Sequence, residues 1–391
     1  MNKIKLSMIT LLTLGVSIAQ AEVDLKVGGQ GVFYYQTMDV SGNADLFDNG
    51  ANSRGNAGLQ LNANADLGND FKLGYQETFL GTLGLEKNLV GASMQTAKTN
   101  KLNSHSMTKL FIQKDIENTT LKLGRQELPK ALSPFAFSES WNVFKNTFDA
   151  ALVINKDIQD TTLVGAYVSQ ANGQLVGTPG LVDLGTFDDM AGGVMKKGAY
   201  MLTIANKSIQ DVPLTFSYYQ MPSTDLSAMW ADAKLNNLGE VKVSFQGGSI
   251  MNGAKGGNDT NAYGAKIFGK VNDIGLRLAY SGVNDGDVQL RNVGTGVKTP
   301  LYTQMILNQN FISHDNDTVV LSAVAPLPVG KLIAKYDMTK DNSALKNDYN
   351  ELDVIYKFDA FGTKMLLAYV MQDQDNADTN NMIRVWSRYN F

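Results

Sequence analysis

The sequence contains no cysteine and only two histidines among its 391 residues. The lack of cysteine excludes disulfide bonds, thiol catalysis and thiolate metal sites. His105 and His314 each stand alone in a polar stretch. Ser104 and Ser106 flank His105, but adjacent residues on an extended chain point to opposite faces and make a poor nucleophile–base pair. We therefore expect that the protein is not an enzyme and that it carries no cofactor.

A strong excess of charge of either sign is also lacking. The chain has 34 basic and 38 acidic residues, and without Lys3 and Lys5 the counts are 32 and 38, a net charge of −6. Domains that bind nucleic acid present a marked basic excess, because they neutralise phosphates. This balance predicts that nucleic acid is not a partner.

Long apolar runs are absent after the first 21 residues, where the run 150–154 is typical of the longest. A membrane-spanning helix needs roughly 20 apolar residues. Within the first 21 residues, Lys3 and Lys5 precede an apolar run over 6–18, followed by Ala19-Gln20-Ala21. This order predicts a secretory signal peptide over 1–21, cleaved between Ala21 and Glu22, and leaves 22–391 as one domain. An uncleaved anchor is the alternative.

Residues 22–391 consist of short segments that alternate between apolar and polar side chains. Val241-Lys242-Val243-Ser244-Phe245-Gln246 and Leu276-Arg277-Leu278-Ala279-Tyr280 are clear cases. A period of two gives a strand one apolar and one polar face. We predict eighteen strands, with sixteen as the alternative, near 23–35, 57–67, 71–80, 107–116, 119–127, 147–156, 161–169, 199–207, 212–221, 227–236, 240–249, 260–271, 275–283, 317–325, 330–338, 349–358, 363–371 and 381–391.

The connections between these segments alternate between very short turns and long Gly- and Asn-rich loops. This asymmetry is typical of a transmembrane antiparallel β-barrel in the Gram-negative outer membrane, with short periplasmic turns and long extracellular loops. Lipid offers no hydrogen-bond partner, so a sheet that spans it must close on itself. A soluble β-sandwich is the alternative all-β fold. The barrel prediction makes the lipid bilayer and lipopolysaccharide partners of the outer surface.

The last segment is an amphipathic strand that ends on the aromatic residue Phe391. Ile383, Val385 and Tyr389 fall on one face, and Arg384 and Arg388 fall on the other. Barrels of this kind typically end in this way, and the outer-membrane assembly machinery binds the terminal strand. We therefore predict that Phe391 is an assembly signal.

A barrel of this strand number leaves an aqueous lumen, whose side chains decide what passes. Upward strands tend to carry a basic residue just after the periplasmic turn. If these residues point inward, they form a basic ring that biases ion passage; if they extend to the membrane interface, they do not. The ring would consist of Lys26, Lys72, Lys122, Lys242, Arg277, Lys331 and Lys364.

The long loops carry many aspartates, in contrast to the basic polar faces of the strands. They predict either a hydrated loop surface or an acidic vestibule that concentrates cations. Clustered carboxylates are also compatible with a structural calcium ion, although no complete calcium-loop motif is present. The residues are Asp39, Asp45, Asp48, Asp183, Asp188, Asp189, Asp285, Asp287, Asp315, Asp317, Asp373, Asp375 and Asp378.

Two loop stretches are candidates for folding into the pore, 128–141 and about 284–316. The first is rich in proline and aromatic residues, which is unusual for a loop in water, and the second is long enough to suggest a function. In the pore, the first would narrow the channel with Lys130, Glu139 and the nearby Lys145. The alternative is that it packs on a neighbouring subunit.

Three segments resemble the eighteen-stranded OprD-like porins: Leu121-Lys122-Leu123-Gly124-Arg125-Gln126-Glu127-Leu128, Thr147-Phe148-Asp149-Ala150 and Ala166-Tyr167-Val168. The overall size and style are similar to the Campylobacter-type major outer membrane porin. The resemblance implies a homotrimer with loops that narrow each pore, and it implies that Arg125 is a basic pore residue. Relatives that select carboxylates use a basic ladder, which Lys109, Lys266, Lys335, Arg384 and Arg388 would extend here.

These observations predict a porin for passive diffusion of ions and small hydrophilic solutes across the outer membrane. Two alternatives stay open, a structural or adhesive surface barrel and a carboxylate-selective channel. The sign of the ion selectivity also stays open, because the acidic loops and the basic strands oppose each other.

Overall fold

The computed structural model describes residues 23–40, 44–98, 102–174, 181–193, 195–375 and 377–391. The predicted cleavage site at Ala21 and Glu22 lies outside these residues. Signal-peptide cleavage therefore stays a prediction.

The described chain forms eighteen antiparallel strands joined into one closed sheet. Closure is made by the first and last strands, which pair from Gln30 with Asn390 to Met38 with Met382. The predicted fold class and strand number are confirmed. The strands are β1 (Asp24–Met38), β2 (Arg54–Gly68), β3 (Phe71–Gly81), β4 (Ser104–Ile116), β5 (Thr119–Gln126), β6 (Phe148–Asn155), β7 (Thr161–Ala171), β8 (Ala199–Asn206), β9 (Leu214–Met221), β10 (Leu226–Leu238), β11 (Val241–Asn252), β12 (Thr260–Val271), β13 (Ile274–Val283), β14 (Asn316–Pro326), β15 (Lys331–Asp341), β16 (Tyr349–Ala360), β17 (Thr363–Gln374) and β18 (Asn380–Asn390).

Several strands are longer than predicted at their extracellular ends. β2 begins at Arg54 and β4 at Ser104, three residues earlier than the alternation indicated. The added residues are mostly polar or small, so they break the apolar pattern. They continue the backbone ladder all the same, because paired backbone groups remain favourable above the membrane.

The alternation of side chains sorts the two faces of the wall. In β13, Leu276 and Leu278 are 43% and 45% exposed on the outer face, whereas Ala279 and Ser281 are fully buried on the inner face. An exposed apolar band is the reverse of the surface of a soluble protein and matches a wall that lies in lipid. The inner residues therefore border the lumen.

The periplasmic turns are as tight as the sequence predicts. Only Asn69 and Asp70 separate β2 from β3, and their φ angles are 50° and 61°. Two-residue hairpins of this type need positive φ at both positions, which Asn and Asp tolerate better than most residues. Such turns keep neighbouring strands in register and leave the opposite rim to the long loops.

The third loop, residues 127–147, folds into the barrel. The Phe135 ring packs edge-on against Tyr219 of β9 and Trp230 of β10, with centroids 5.6 Å and 5.5 Å apart. On the opposite side of the lumen, Arg388 of β18 donates a hydrogen bond of 2.9 Å from Nη2 to the carbonyl of Val143. This loop therefore crosses the lumen from wall to wall.

The seventh loop, residues 284–315, also lies inside and packs against the third. The amide of Val293 donates to the carbonyl of Phe135 at 2.8 Å, and Lys130 Nζ donates to the carbonyl of Thr299 at 2.9 Å. Both stretches that the sequence marked as candidates for entering the pore do so. Together we call residues 127–147 and 284–315 the plug.

Helical structure is confined to loops in the described part of the chain. It comprises one short α-helix, Met190–Gly193, and two 3₁₀ turns, Leu85–Lys87 and Asn308–Asn310. A pair of two-residue strands, Gln95–Thr96 and Val182–Asp183, joins the second and fourth loops. Among the described residues, no helix is long and apolar enough to cross a membrane.

Candidate pore and its constriction

Glu139 joins the two halves of the plug. It is 4% exposed. Its Oε1 accepts hydrogen bonds from Asn292 Nδ2 at 2.7 Å, Thr295 Oγ1 at 2.5 Å and the backbone amide of Lys298 at 3.0 Å. Its Oε2 accepts one from Trp141 Nε1. A buried carboxylate is stable only when such donors surround it, so this cluster fixes the third loop to the seventh.

Acidic residues of the wall hold the seventh loop from the other side. Glu351 of β16 accepts hydrogen bonds from the backbone amides of Ile306 and Leu307 at 3.0 Å and 2.9 Å. Asp337 of β15 accepts one from Asn308 Nδ2. These carboxylates are fully buried, and their side chains face inward. They serve as attachment points for the plug and do not border open water.

A third attachment lies across the lumen on β10. The Tyr302 hydroxyl donates to Asp232 Oδ1 at 2.8 Å, and Lys266 Nζ lies 3.9 Å from the centroid of the Tyr302 ring. Burial raises the pKa of the Tyr302 hydroxyl, so it stays protonated and can donate. The seventh loop is therefore bound to β10, β15 and β16, and it fills that side of the barrel.

An open cavity of about 650 Å³ remains along the opposite wall. It runs beside β1, β2, β3, β4, β5 and β18, with the two ends of the third loop on its inner side. We call it the channel cavity. Its lining is Lys26, Val27, Gly28, Gly29, Gln30, Gln60, Asn62, Asn64, Tyr75, Gln76, Lys109, Phe111, Lys122, Glu127, Lys145, Arg388 and Phe391.

The charged groups of the channel cavity are mainly basic. Five of its lining residues are lysine or arginine, and Glu127 is the acidic one. Glu127 Oε1 lies 2.5 Å from Lys109 Nζ, and Glu127 Oε2 lies 2.8 Å from Lys145 Nζ. Burial raises the pKa of Glu127, but the two amines outweigh it and hold the pKa below its usual value. Glu127 is therefore ionised and bridges the two lysines.

Amide side chains form the rest of the polar lining. Gln30 Nε2 donates to Gln60 Oε1 at 2.7 Å, Gln60 Nε2 donates to Gln76 Oε1 at 3.1 Å, and Gln76 Nε2 donates to Asn62 Oδ1 at 2.6 Å. This chain of hydrogen bonds crosses β1, β2 and β3 and holds the amides flat against the wall. No sequence motif marks these residues, although all lie on the polar face of their strands.

The structure places most of the predicted pore residues on the inner face. Lys109, Lys122, Lys145 and Arg388 border the channel cavity together. Lys72, Lys242, Arg277, Lys331 and Arg384 also point inward by register, outside that cavity. Their part in conduction stays a prediction.

Two of these inward residues are already engaged. Lys72 Nζ lies 2.7 Å from Asp115 Oδ2, and Arg384 is 7% exposed and bonded to Gln36. Lys72 therefore adds little net charge to the lumen, and Arg384 is withdrawn from it.

Arg125 lies on the outer face of the wall, so the pore position implied by the resemblance is wrong. It is in register with Leu110, whose side chain is 42% exposed to the lipid side. Its Nε donates to Asp149 Oδ1 at 3.0 Å, and its guanidinium lies 3.3 Å from the centroid of the Phe187 ring. Lys122 faces the lumen, and three steps along a strand of period two lead to the opposite face.

Two predicted residues of the third loop do not border the channel cavity. Glu139 lies inside the plug, so its predicted place at the constriction is wrong. Its carboxylate is stable away from water because four donors bind it. Lys130 stays open to lumen water but binds the seventh loop, and surrounding protein lowers the pKa of its amine to about 8. Burial likewise lowers the pKa of Lys298 to about 8. Both amines remain mostly protonated at neutral pH.

Phe391 closes the seam of the barrel. Its amide donates to the carbonyl of Gly29 at 3.1 Å, and the amide of Gly29 donates to the carbonyl of Phe391 at 2.9 Å. An added Cβ at Gly29 would lie 2.3 Å from the carbonyl oxygen of Gln60 and 2.6 Å from the Phe391 ring, so this position requires glycine. The predicted assembly role stays a prediction.

Several of the loop aspartates that predicted an acidic vestibule brace the loops. Asp39 Oδ2 accepts from Asn381 Nδ2 at 2.8 Å, and Asp183, 2% exposed, accepts from the amide of Gly185 at 2.7 Å. Asp287 Oδ2 accepts from the amide of Asn258 at 2.7 Å. In the described part of the chain, no group of three or more His, Asp or Glu side chains has the geometry to hold a metal ion.

Solved structures share this fold over nearly the whole chain. Pseudomonas aeruginosa OccK8 (OprE) gives a TM-score of 0.76 at 14% identity, covering 94% of this chain and 98% of that one. Pseudomonas aeruginosa OpdK with vanillate gives 0.77 at 13% identity, with the same coverage. Pseudomonas aeruginosa OccK9 (OpdG) gives 0.76 at 14% identity, covering 95% and 98%.

At this identity the likeness concerns the fold, and it confirms the OprD-like barrel that the motifs over 121–168 implied. OpdK is an outer membrane protein of Pseudomonas aeruginosa. No protein-family model matches the chain, and no curated protein matches it in sequence.

Proposed function

We propose that the protein is a porin of the Gram-negative outer membrane, through which ions and small hydrophilic solutes diffuse passively. The observation that carries this proposal is the channel cavity, about 650 Å³ of space with amide and basic lining inside a barrel whose outer face is apolar. A barrel of eighteen strands leaves an aqueous channel unless its loops fill it, and the plug here leaves one wall uncovered.

We further propose that this channel favours anions, and small carboxylates among them. Five basic side chains against one acidic side chain give the cavity a positive field, which low-dielectric walls strengthen. Glu139 and Glu351 are buried and bind residues of the plug, so their negative charges do not border the channel cavity and do not oppose its positive field. OpdK, which has the same fold, has a crystal structure with vanillate, and vanillate is a carboxylate.

A structural or adhesive barrel is the second candidate function. The observation in its favour is the plug itself, which fills the side of the lumen next to β8–β16. In that case the channel cavity would be a closed recess. The two candidates differ in whether solutes cross the barrel.

Liposome swelling separates them. Proteoliposomes of the purified barrel should swell quickly in an isosmotic monosaccharide, and more slowly in a tetrasaccharide that the channel cavity cannot pass. Protein-free liposomes are the control for leakage. Swelling no faster than this control in any solute would favour the adhesive barrel.

Assembly and partners complete the proposal. We propose export by the 1–21 signal peptide with cleavage between Ala21 and Glu22, insertion directed by the terminal strand with Phe391, and a homotrimer in contact with lipid and lipopolysaccharide. The polar pair Arg125 and Asp149 on the outer face of β5 and β6 would suit the headgroup level.

A further inference from the structure

Glu127 has an unusual position for the one acidic residue of a basic cavity. It is the first residue after β5, at the point where the wall becomes the third loop. Lys109 comes from β4 and Lys145 from the far end of the same loop, and both amines contact the Glu127 carboxylate, at 2.5 Å and 2.8 Å. Two ammonium groups on one carboxylate define a site that fits a carboxylate of any origin.

The bridge is accessible to solutes. The side chains of Glu127, Lys109 and Lys145 are 31%, 22% and 47% exposed, and all three border the channel cavity. Ion pairs of this exposure are weak and contribute about a fivefold factor to an equilibrium. A solute carboxylate that arrives in the lumen can therefore compete with Glu127 for the lysines.

Another ion pair of the lumen, Lys72 with Asp115, has a carboxylate that accepts from two further side chains, and we call it the fixed pair. Asp115 accepts hydrogen bonds from Lys72 at 2.7 Å and also from Thr120 at 2.7 Å and Gln113 at 2.9 Å. It lies near the periplasmic turn, outside the channel cavity. Its side chain is 27% exposed, close to the 31% of Glu127, and it lies away from Lys109 and Lys145, which makes it a matched control for Glu127.

We infer that Glu127 is a specificity-determining residue, an internal counter-ion that occupies the two-lysine site until a passing carboxylate displaces it. This inference rests on the proposed channel function. Displacement forms and breaks contacts only; Glu127 turns into lumen water while the solute takes its place. A channel must bind its solute strongly enough to admit it and weakly enough to release it, and a resident competitor lowers the affinity to that range.

The test uses the full-length protein in a planar bilayer, with propionate as the probe because it has the chemistry of the Glu127 side chain. The half-saturating propionate concentration is read from single-channel conductance. E127Q should bind propionate about fivefold more tightly than the wild type, since the competitor is gone. K145Q removes one amine of the site and should weaken binding by a similar factor.

D115N is the control, because it adds the same charge to the lumen at the fixed pair. It should leave the propionate affinity within about twofold of the wild type, as expected for an exposed pair outside the site. An equal shift in E127Q and D115N would overturn the inference, because general lumen charge would then explain both. If E127Q does not assemble, E127D keeps the charge, moves it away from the lysines and should give an intermediate affinity; an unchanged one would contradict the inference.

The failure of this inference is distinguishable from failure of the channel proposal. Wild-type conductance without any difference between E127Q and D115N overturns the role of Glu127 alone. Absence of stepwise wild-type conductance overturns the channel and the inference with it.

Discussion

The triple variant K109Q/K122Q/R388Q should lose the anion preference of the channel, with the chloride-to-potassium permeability ratio falling on the order of tenfold. These three side chains border one cavity and point inward from β4, β5 and β18. Removing three positive charges from a narrow space reduces the excess of basic over acidic lining residues from four to one. The reversal potential in a potassium chloride gradient measures the ratio directly.

A charge-matched control comes from lysines outside the lumen. Lys114 lies on the outer side of β4 against the Phe71 ring, Lys340 is exposed on the outer side of β15, and Lys346 is exposed in the eighth loop. K114Q/K340Q/K346Q should keep the wild-type reversal potential. An equal shift in both triple variants would mean that the net charge of the protein, and not the channel cavity, governs permeation.

Replacing Glu139 by alanine should raise the single-channel conductance severalfold and add flicker. The buried donors of Asn292, Thr295 and Lys298 would lose their acceptor together. Each unsatisfied buried donor costs about 1–3 kcal/mol, so the junction between the two loops should separate. A barrel of eighteen strands without an ordered plug has a much wider aqueous lumen. Single-channel recording in symmetrical salt gives the conductance.

E86A is the control for Glu139, since Glu86 is a partly exposed glutamate of the second loop, outside the plug and bonded to Thr82. Its conductance should equal that of the wild type. Both variants should show the same β-sheet circular dichroism, because neither residue lies in the wall. An E139A channel with wild-type conductance would show that the plug does not depend on this junction.

The wall of the barrel could be predicted from the sequence, because its physics is local. Alternation in segments such as 241–246 reports which face meets lipid, and turns such as Asn69-Asp70 fix the connections. The same alternation predicts which lysines, such as Lys122, point into the lumen. The resemblance implied a pore position for Arg125, whereas the alternation counted from Lys122 places Arg125 on the lipid side.

The interior of the barrel could be foreseen only in part. Composition marked 128–141 as a candidate for the pore, because clustered aromatic residues avoid water, and length marked 284–316. Their attachments could not be predicted, since Glu139 binds Asn292 and Thr295, which are 153 and 156 positions away. No sequence periodicity links residues that are so far apart in the chain. Glu127 appeared only as part of a family motif, and its two lysines come from a strand and a loop end that the fold brings together.

The central claim is that solutes cross the barrel through the channel cavity, and the accessibility of introduced thiols tests it most directly. The chain has no cysteine, so single cysteine variants give an unambiguous background. Asn64 is exposed and borders the channel cavity, whereas Thr203 of β8 is fully buried beneath the plug and donates to the carbonyl of Leu132 at 2.9 Å. A negatively charged methanethiosulfonate reagent should change the current of open N64C channels within seconds and leave T203C channels unchanged. Modification of T203C with no effect on N64C would place the path on the opposite wall and contradict the account.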